Sequence, residues 1–198
     1  MGMFFFSFPL LAETSLDSTT STAEQSATDA SSSNPLSSSV PSDISPIVQV
    51  TIAKLKEPSF TDPYHKEDVE AAQAFYATQK NPLWVEDAGF NNKGKSLLKE
   101  LSEAERWGLD PKAFKSPEAT LTTVSTDVLG ETEAKTTLSA LTYARHAKGG
   151  RVVPSDITQM LDLSPPVRDP KGVLGDLASA TDPSVYLTGL QPQHAQFK

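Results

Sequence analysis

Apolar residues along this chain recur mostly at three- and four-residue spacing, so the pattern predicts helices. In Lys66–Gln79, Val69, Ala72, Phe75 and Tyr76 share one face beneath a charged outer face. Asn81-Pro82 ends that helix, because proline lacks an amide donor and keeps its predecessor out of the α region. A second helix is expected from Asn91 or Asn92 to Trp107, with Leu97, Leu98, Leu101 and Ala104 inward and Lys99, Glu100, Glu103 and Arg106 outward. A third is expected over Glu131–Lys148, with Ala134, Leu138, Leu141 and Arg145 on one stripe and Gly149-Gly150 as its stop. The apolar run of residues 47–56 fits either helix or strand, and residues 116–130 read as an exposed Ser/Thr-rich connection.

The punctuation between these segments is specific. Gly108 suits a left-handed helix cap, and Asp110-Pro111 reads as an N-cap followed by the first residue of a short turn ending at Phe114. Asp169-Pro170 and Asp182-Pro183 repeat that grammar, and Ser155 offers a further cap before Asp156-Ile157. No stretch alternates long enough to establish a sheet. The expected class is mainly α: an irregular helical bundle with at most one short extended segment, at Leu83–Val85.

Composition separates the N-terminal part from the rest. Half of the residues from Glu13 to Pro46 are Ser or Thr, and no Lys or Arg precedes Lys54. Such a segment buries too little apolar area to offset the entropy of ordering it, so residues 13–46 are expected to be a disordered linker and residues 47–198 the helical domain. Five of the eight net negative charges belong to the linker (Glu13, Asp17, Glu24, Asp29 and Asp43), leaving the helical part close to balance. It has no basic stripe for a phosphate backbone, so no nucleic-acid partner is expected. Residues 4–12, Phe-Phe-Phe-Ser-Phe-Pro-Leu-Leu-Ala, are too short to span a bilayer and resemble the apolar core and cleavage end of a secretory signal peptide. Without a basic start, and with Leu10 where a small residue suits cleavage, residues 1–12 read as a truncated or atypical signal, implying export and no transmembrane span in the mature form.

Candidate chemistry is sparse. Zero cysteines exclude disulfides, thiolate zinc sites, a cysteine nucleophile and a lipid-modified N-terminal cysteine. Residues 89–96, Gly-Phe-Asn-Asn-Lys-Gly-Lys-Ser, satisfy the phosphate-loop pattern, in which Lys95 would reach phosphate oxygens and Ser96 would ligate magnesium. That loop needs a buried parallel strand and a second strand ending in a metal-holding aspartate, and the chain has no such apolar runs, so a capped helix start is the simpler reading. His65, His146 and His194 lack ligands at metal-pair spacing. Glu100, Glu103 and Glu105 read as a solvated face. Trp84 and Trp107 read as core anchors whose indole N–H groups find partners, and Arg151 as a helix-end or carboxylate contact. No catalytic, cofactor-binding or metal residue is assigned, and no cofactor is expected.

In order and spacing, the punctuating residues resemble the scaffold domain of the larger bacterial murein L,D-transpeptidases over about residues 60–198. The matching features are Phe75-Tyr76, Pro82-Leu83-Trp84, Leu97-Leu98 and Leu101, then Ala104, Gly108-Leu109-Asp110-Pro111 and Phe114. They continue through Leu141-Thr142-Tyr143-Ala144-Arg145, Gly150-Arg151-Val152 and Pro154 to Leu190, Pro192, His194 and Phe197. Phe114 and Phe197 stand where such proteins commonly carry tyrosine.

Family members add a catalytic domain whose cysteine thiolate attacks a peptidoglycan stem and passes the acyl group to another stem's amine. This chain holds no cysteine, so the resemblance implies a non-catalytic, periplasmic scaffold portion of a cell-wall crosslinking enzyme. The expected partners are peptidoglycan or the missing catalytic and peptidoglycan-binding domains. The chain reads as C-terminally truncated, with self-association through an apolar groove near Leu187, Leu190 and Phe197. The alternatives are a stand-alone envelope or peptidoglycan-binding module and, third, a nucleotide-binding protein.

Overall fold

The computed structural model describes residues 2, 44–122, 124–151 and 166–195. The chain divides into two compact units, 1–38 and 39–198, and every described helix and strand belongs to the second. The signal and most of the linker, with Val152, Pro154, Ser155 and Phe197, lie outside the described residues.

Helix starts follow the capping grammar. Helix α1 (Pro46–Leu55) settles the ambiguous run as helical and begins at a proline, as does the single turn α2 (Pro58–Thr61). Helix α3 (Lys66–Tyr76) is followed by a two-residue hairpin, β1 (Val85–Glu86) antiparallel to β2 (Gly89–Phe90), with Val85 opposite Phe90. The single extended segment expected at Leu83–Val85 is thus corrected to two short strands. Gly89, at φ +120°, permits the tight return.

Helix α4 (Asn92–Ser102) starts where Asn91 Oδ1 accepts from Gly94 N at 2.9 Å. It stops five residues before the expected end, and Ala104–Trp107 continues as a 3-10 turn. Gly108, at φ 73°, closes that turn: its N–H donates to Glu105 O and the Leu109 N–H to Ala104 O, which satisfies two orphan carbonyls. Asp110 then caps a second 3-10 turn, Pro111–Phe114, by accepting from Lys112 N at 3.0 Å. Helix α5 (Thr126–Ala147), capped by Ser125, takes in the last part of the expected connection. Helices α6 (Pro170–Ser179) and α7 (Pro183–Leu190) begin at the two later Asp-Pro pairs, with Asp169 and Asp182 as caps.

Helix α5 is the axis of the bundle, with α1, α3, α4, α6, α7 and β1 packed around it. Central position normally demands apolar residues all round, yet this helix buries Thr132, Thr136, Thr137 and Ser139. Short hydroxyl side chains fit because they bond the helix's own carbonyls, Thr136 to Thr132 O and Ser139 to Lys135 O, both at 2.7 Å. Around it the core gathers Trp84, Tyr76, Tyr143, Phe114 and the leucines at 55, 97, 101, 138, 141, 174, 177 and 187. Leu187 and Leu190 are buried in this core, and Phe197, the third residue of the expected groove, lies outside the described residues.

The α1–α5 crossing depends on one glycine. A Cβ at Gly130 would lie 2.5 Å from Val50 Cβ and 3.0 Å from the Ile47 carbonyl oxygen. Gly130→Ala should therefore lower stability by up to about 2 kcal/mol, since overpacking at about 1–3 kcal/mol outweighs the roughly 1 kcal/mol gain in helix propensity. A denaturant midpoint at or above the wild-type value would refute this.

Candidate functional site

Two buried carboxylates organise the regions where the sequence motifs fall. Glu133, fully buried on α5, accepts from the Leu83, Trp84 and Val85 backbone amides at 2.5, 2.9 and 3.1 Å. The Tyr76 hydroxyl donates to it at 2.6 Å. Thr137, one helical turn further on, accepts from the Trp84 indole N–H at 2.9 Å and lies 2.8 Å from the Tyr76 oxygen. A chain of donors therefore runs from Trp84 through Thr137 and Tyr76 into Glu133, and every member stiffens the next. Burial is the larger influence on Glu133 and pushes its pKa up to about 7, against the lowering effect of the four donated bonds. The same burial, with Glu133 beside it, drives the Tyr76 phenol pKa well up.

The second hub corrects an expectation. Glu100, expected on the solvated face, is buried, with only 3% of its surface exposed. Its Oε1 accepts from the Tyr143 hydroxyl at 2.9 Å and from the Trp107 indole at 3.1 Å, while Arg106 pairs with Oε2. Gln191, just beyond α7, donates to the Tyr143 oxygen at 2.9 Å. The break in the helix after Ser102 is what lets Arg106 and Trp107 fold back onto Glu100. Trp84 is thus the expected core anchor with a satisfied indole, whereas Trp107 is half-buried and is held through its indole by Glu100.

A third pair ties α3 to α5. Arg145 donates to buried Asp68 from Nε at 3.1 Å and from Nη2 at 2.7 Å, and reaches the exposed Glu67 at 3.3 Å. The end of α5 is shaped around this arginine: Gly149 takes φ 83°, and the Gly150 amide donates to Arg145 O at 2.9 Å. A Cβ on Gly150 would meet Arg145 Cγ at 2.7 Å. Arg145 does lie on the inward stripe, as half of an ion pair.

The phosphate-loop pattern has a structural explanation. Gly94 is required by close packing, since a Cβ there would lie 2.3 Å from the Trp84 carbonyl oxygen. Its amide is taken by Asn91, the Lys95 amide bonds the Asn91 carbonyl, and the Ser96 hydroxyl donates to Asp182. Asn91 also holds the preceding loop, donating from Nδ2 to Leu83 O at 3.0 Å. The strand before it belongs to an antiparallel hairpin and not to a parallel sheet. The Gly94 and Lys95 amides that would cradle phosphate are therefore already engaged.

His146 stacks near Phe114, with ring centroids 5.7 Å apart; burial first, then Arg151 and Arg145, lowers its pKa. No group of His, Cys, Asp or Glu suited to a metal occurs among the described residues. No described helix is long and apolar enough to cross a membrane.

Both carboxylate hubs are fully bonded, with Glu133 wholly enclosed and Glu100 at the wall of a cleft beside Arg106, which suits holding loops. One of several open clefts of similar size is a pocket of about 460 Å³ between α4 and the segment after the second 3-10 turn. Lys95, Lys99, Lys112 and Lys115 line it over apolar Leu98, Leu101, Pro111 and Pro117. Sequence reasoning missed it, because Lys95 and Lys99 lie on α4 and Lys112 and Lys115 on the second 3-10 turn and its cap, and only the Gly108–Pro111 corner brings the two pairs together.

Residues 70–198, well over half of the chain, match the scaffold domain family. Neither the curated proteins nor the solved structures include a match. The match takes in both carboxylate hubs, Arg145 and the lysine pocket, and by it the chain is a member of the scaffold domain family.

Proposed function

We propose that this chain is the non-catalytic scaffold portion of a murein L,D-transpeptidase, acting in the periplasm after export and holding the catalytic and peptidoglycan-binding domains of the full-length enzyme in place. The observation that carries this reading is that the motif residues of the resemblance build rigid corners. Tyr76, Leu83 and Trp84 converge on Glu133, and Tyr143 converges on Glu100. A domain whose loops are pinned by buried, fully bonded carboxylates presents fixed attachment surfaces, which is what positioning other domains requires. The chain also lacks a thiol, the nucleophile on which this chemistry depends.

The expected result is that purified protein incubated with peptidoglycan sacculi yields no new 3-3 stem crosslinks by mass spectrometry of the digested wall. Their appearance would overturn the non-catalytic assignment. A stand-alone peptidoglycan-binding module is the second reading, favoured by the lysine-lined pocket. Co-sedimentation with sacculi separates the two: a bare scaffold stays largely in the supernatant, whereas a dedicated module is retained.

A further inference from the structure

The three amides bonded to Glu133 belong to a loop that other groups hold in place. Leu83, Trp84 and Val85 follow Pro82, which has no N–H, and their amides converge on one carboxylate, as in the backbone concavities that hold anions. Asn91 fixes the carbonyl side of the same loop: it donates from Nδ2 to Leu83 O and from its backbone amide to Trp84 O, both at 3.0 Å. The Trp84 indole is tied to Thr137, Val85 is paired with Phe90 in the hairpin, and Gly94 packs on the Trp84 carbonyl. The fourth donor, the Tyr76 hydroxyl, has its own second anchor in Thr137 Oγ at 2.8 Å. Tyr76, Trp84 and Val85 are buried, so these donors cannot turn to solvent.

Donors that converge and are held from behind make a binding site, and Glu133 is its occupant. Cutting that side chain back to Cβ leaves a small cavity with four donors aimed where the two carboxylate oxygens stood. A water molecule there accepts from too few of them and must itself donate. A carboxylate is the matching chemistry, because it is planar and its two oxygens only accept. An amide would set its own N–H groups against backbone N–H groups, and a tetrahedral phosphate is larger than the atoms removed.

We propose that residues 82–85 and Tyr76 form a carboxylate receptor, closed in the native chain by Glu133 and open to a free carboxylate such as acetate once that side chain is cut back. Acetate has the same heavy atoms that Glu133→Ala removes. Burial opposes a charge at this position, as it does for Glu133 itself, so binding is weak, with a dissociation constant on the order of 10 mM. The receptor does not rest on the cell-wall reading, and its failure would leave that reading untouched.

The test is rescue of Glu133→Ala in the full chain by sodium acetate at about pH 8, where acetate is ionised. Sodium chloride at equal ionic strength and acetamide are the controls, and thermal unfolding followed by near-ultraviolet circular dichroism is the readout. About 0.1 M acetate should raise the Tm of the variant by roughly 3–6 °C beyond chloride, and should do no more than chloride for the wild type, whose site is filled. Acetamide has the right size and the wrong donors, so it should match chloride. Adding Tyr76→Phe to the alanine variant removes one donor, and at least about fivefold more acetate should then be needed for the same shift. Where the alanine variant starts unfolded, acetate should restore its near-ultraviolet signal over the same concentration range, so loss of folding does not remove the test. Acetate acting no better than chloride on the variant, acting equally on wild type, being matched by acetamide, or being indifferent to Tyr76→Phe would each overturn the proposal.

Discussion

Glu133→Ala should cost on the order of 5 kcal/mol, enough to unfold much of a domain of ordinary stability. The substitution strips the acceptor from three backbone amides and a tyrosine hydroxyl at once, and the amides of Trp84 and Val85 have no route to water because both residues are buried. Each unsatisfied buried donor costs about 1–3 kcal/mol, and relaxation of the loop recovers part of the sum. Glu133→Gln should be milder, about 1–3 kcal/mol. Its carbonyl can still serve Trp84 and Val85 and its NH2 can donate to the Tyr76 oxygen, which leaves Leu83 as the unmatched donor. Chemical denaturation monitored by the fluorescence of the two tryptophans reads both, and an alanine variant as stable as wild type would sink the hub assignment.

This carboxyl also sets a pH dependence with a definite sign. Its pKa is pushed from 4.5 to about 7 by burial, so the folded protein holds a proton that the unfolded chain releases between those values. Stability from this group is therefore fully present below pH 4.5 and declines as pH rises through about 7, by a few kcal/mol at most. Glu133→Gln cannot titrate, so the stability gap between wild type and variant should narrow from pH 5 to pH 8. A gap that widens would mean that the four donors overcome burial and hold the group ionised.

Arg145→Met is the second large expected effect, at about 3–5 kcal/mol, because it leaves the Asp68 carboxylate buried without its cation. Removing both charges should be gentler. Asp68→Asn/Arg145→Met should recover more than half of the loss, since two desolvated charges disappear together and the methionine stem keeps the packing. Glu67→Gln alone should change little, because that partner is largely exposed. A double variant no more stable than Arg145→Met would show that the pair's worth lies in packing and not in charge.

Much of the architecture is legible in the sequence because caps and glycines act locally. Asp110, Asp169 and Asp182 each start a helical segment at the following proline, and Gly108 ends one in the left-handed region. These outcomes need only the chain within a few residues. The expectations that needed correction involve partners far along the chain. The exposed neighbours Lys99 and Glu103 suggest an outward Glu100; what buries it is Tyr143 and Trp107, brought over by the break after Ser102. The pattern of helix α5 suggests one apolar stripe with polar residues outside, and the hydroxyls that bond its own carbonyls are what allow those residues inside. Gly94 and Lys95 spell a phosphate loop, yet the glycine is there to let α4 approach the Trp84 carbonyl.

By itself, then, the amino-acid sequence determined that this protein is mainly helical, where most of its helices begin and turn, and that it carries no thiol for catalysis. Hydrophobic period, capping and composition are properties of neighbouring residues and of the inventory. Only the tertiary structure decided which carboxylates are buried hubs, which of them Arg106 and Arg145 pair with, and that lysines from two elements share one pocket. Whether a charged side chain meets water, a partner or another charge depends on residues tens of positions away, and no local pattern carries that information.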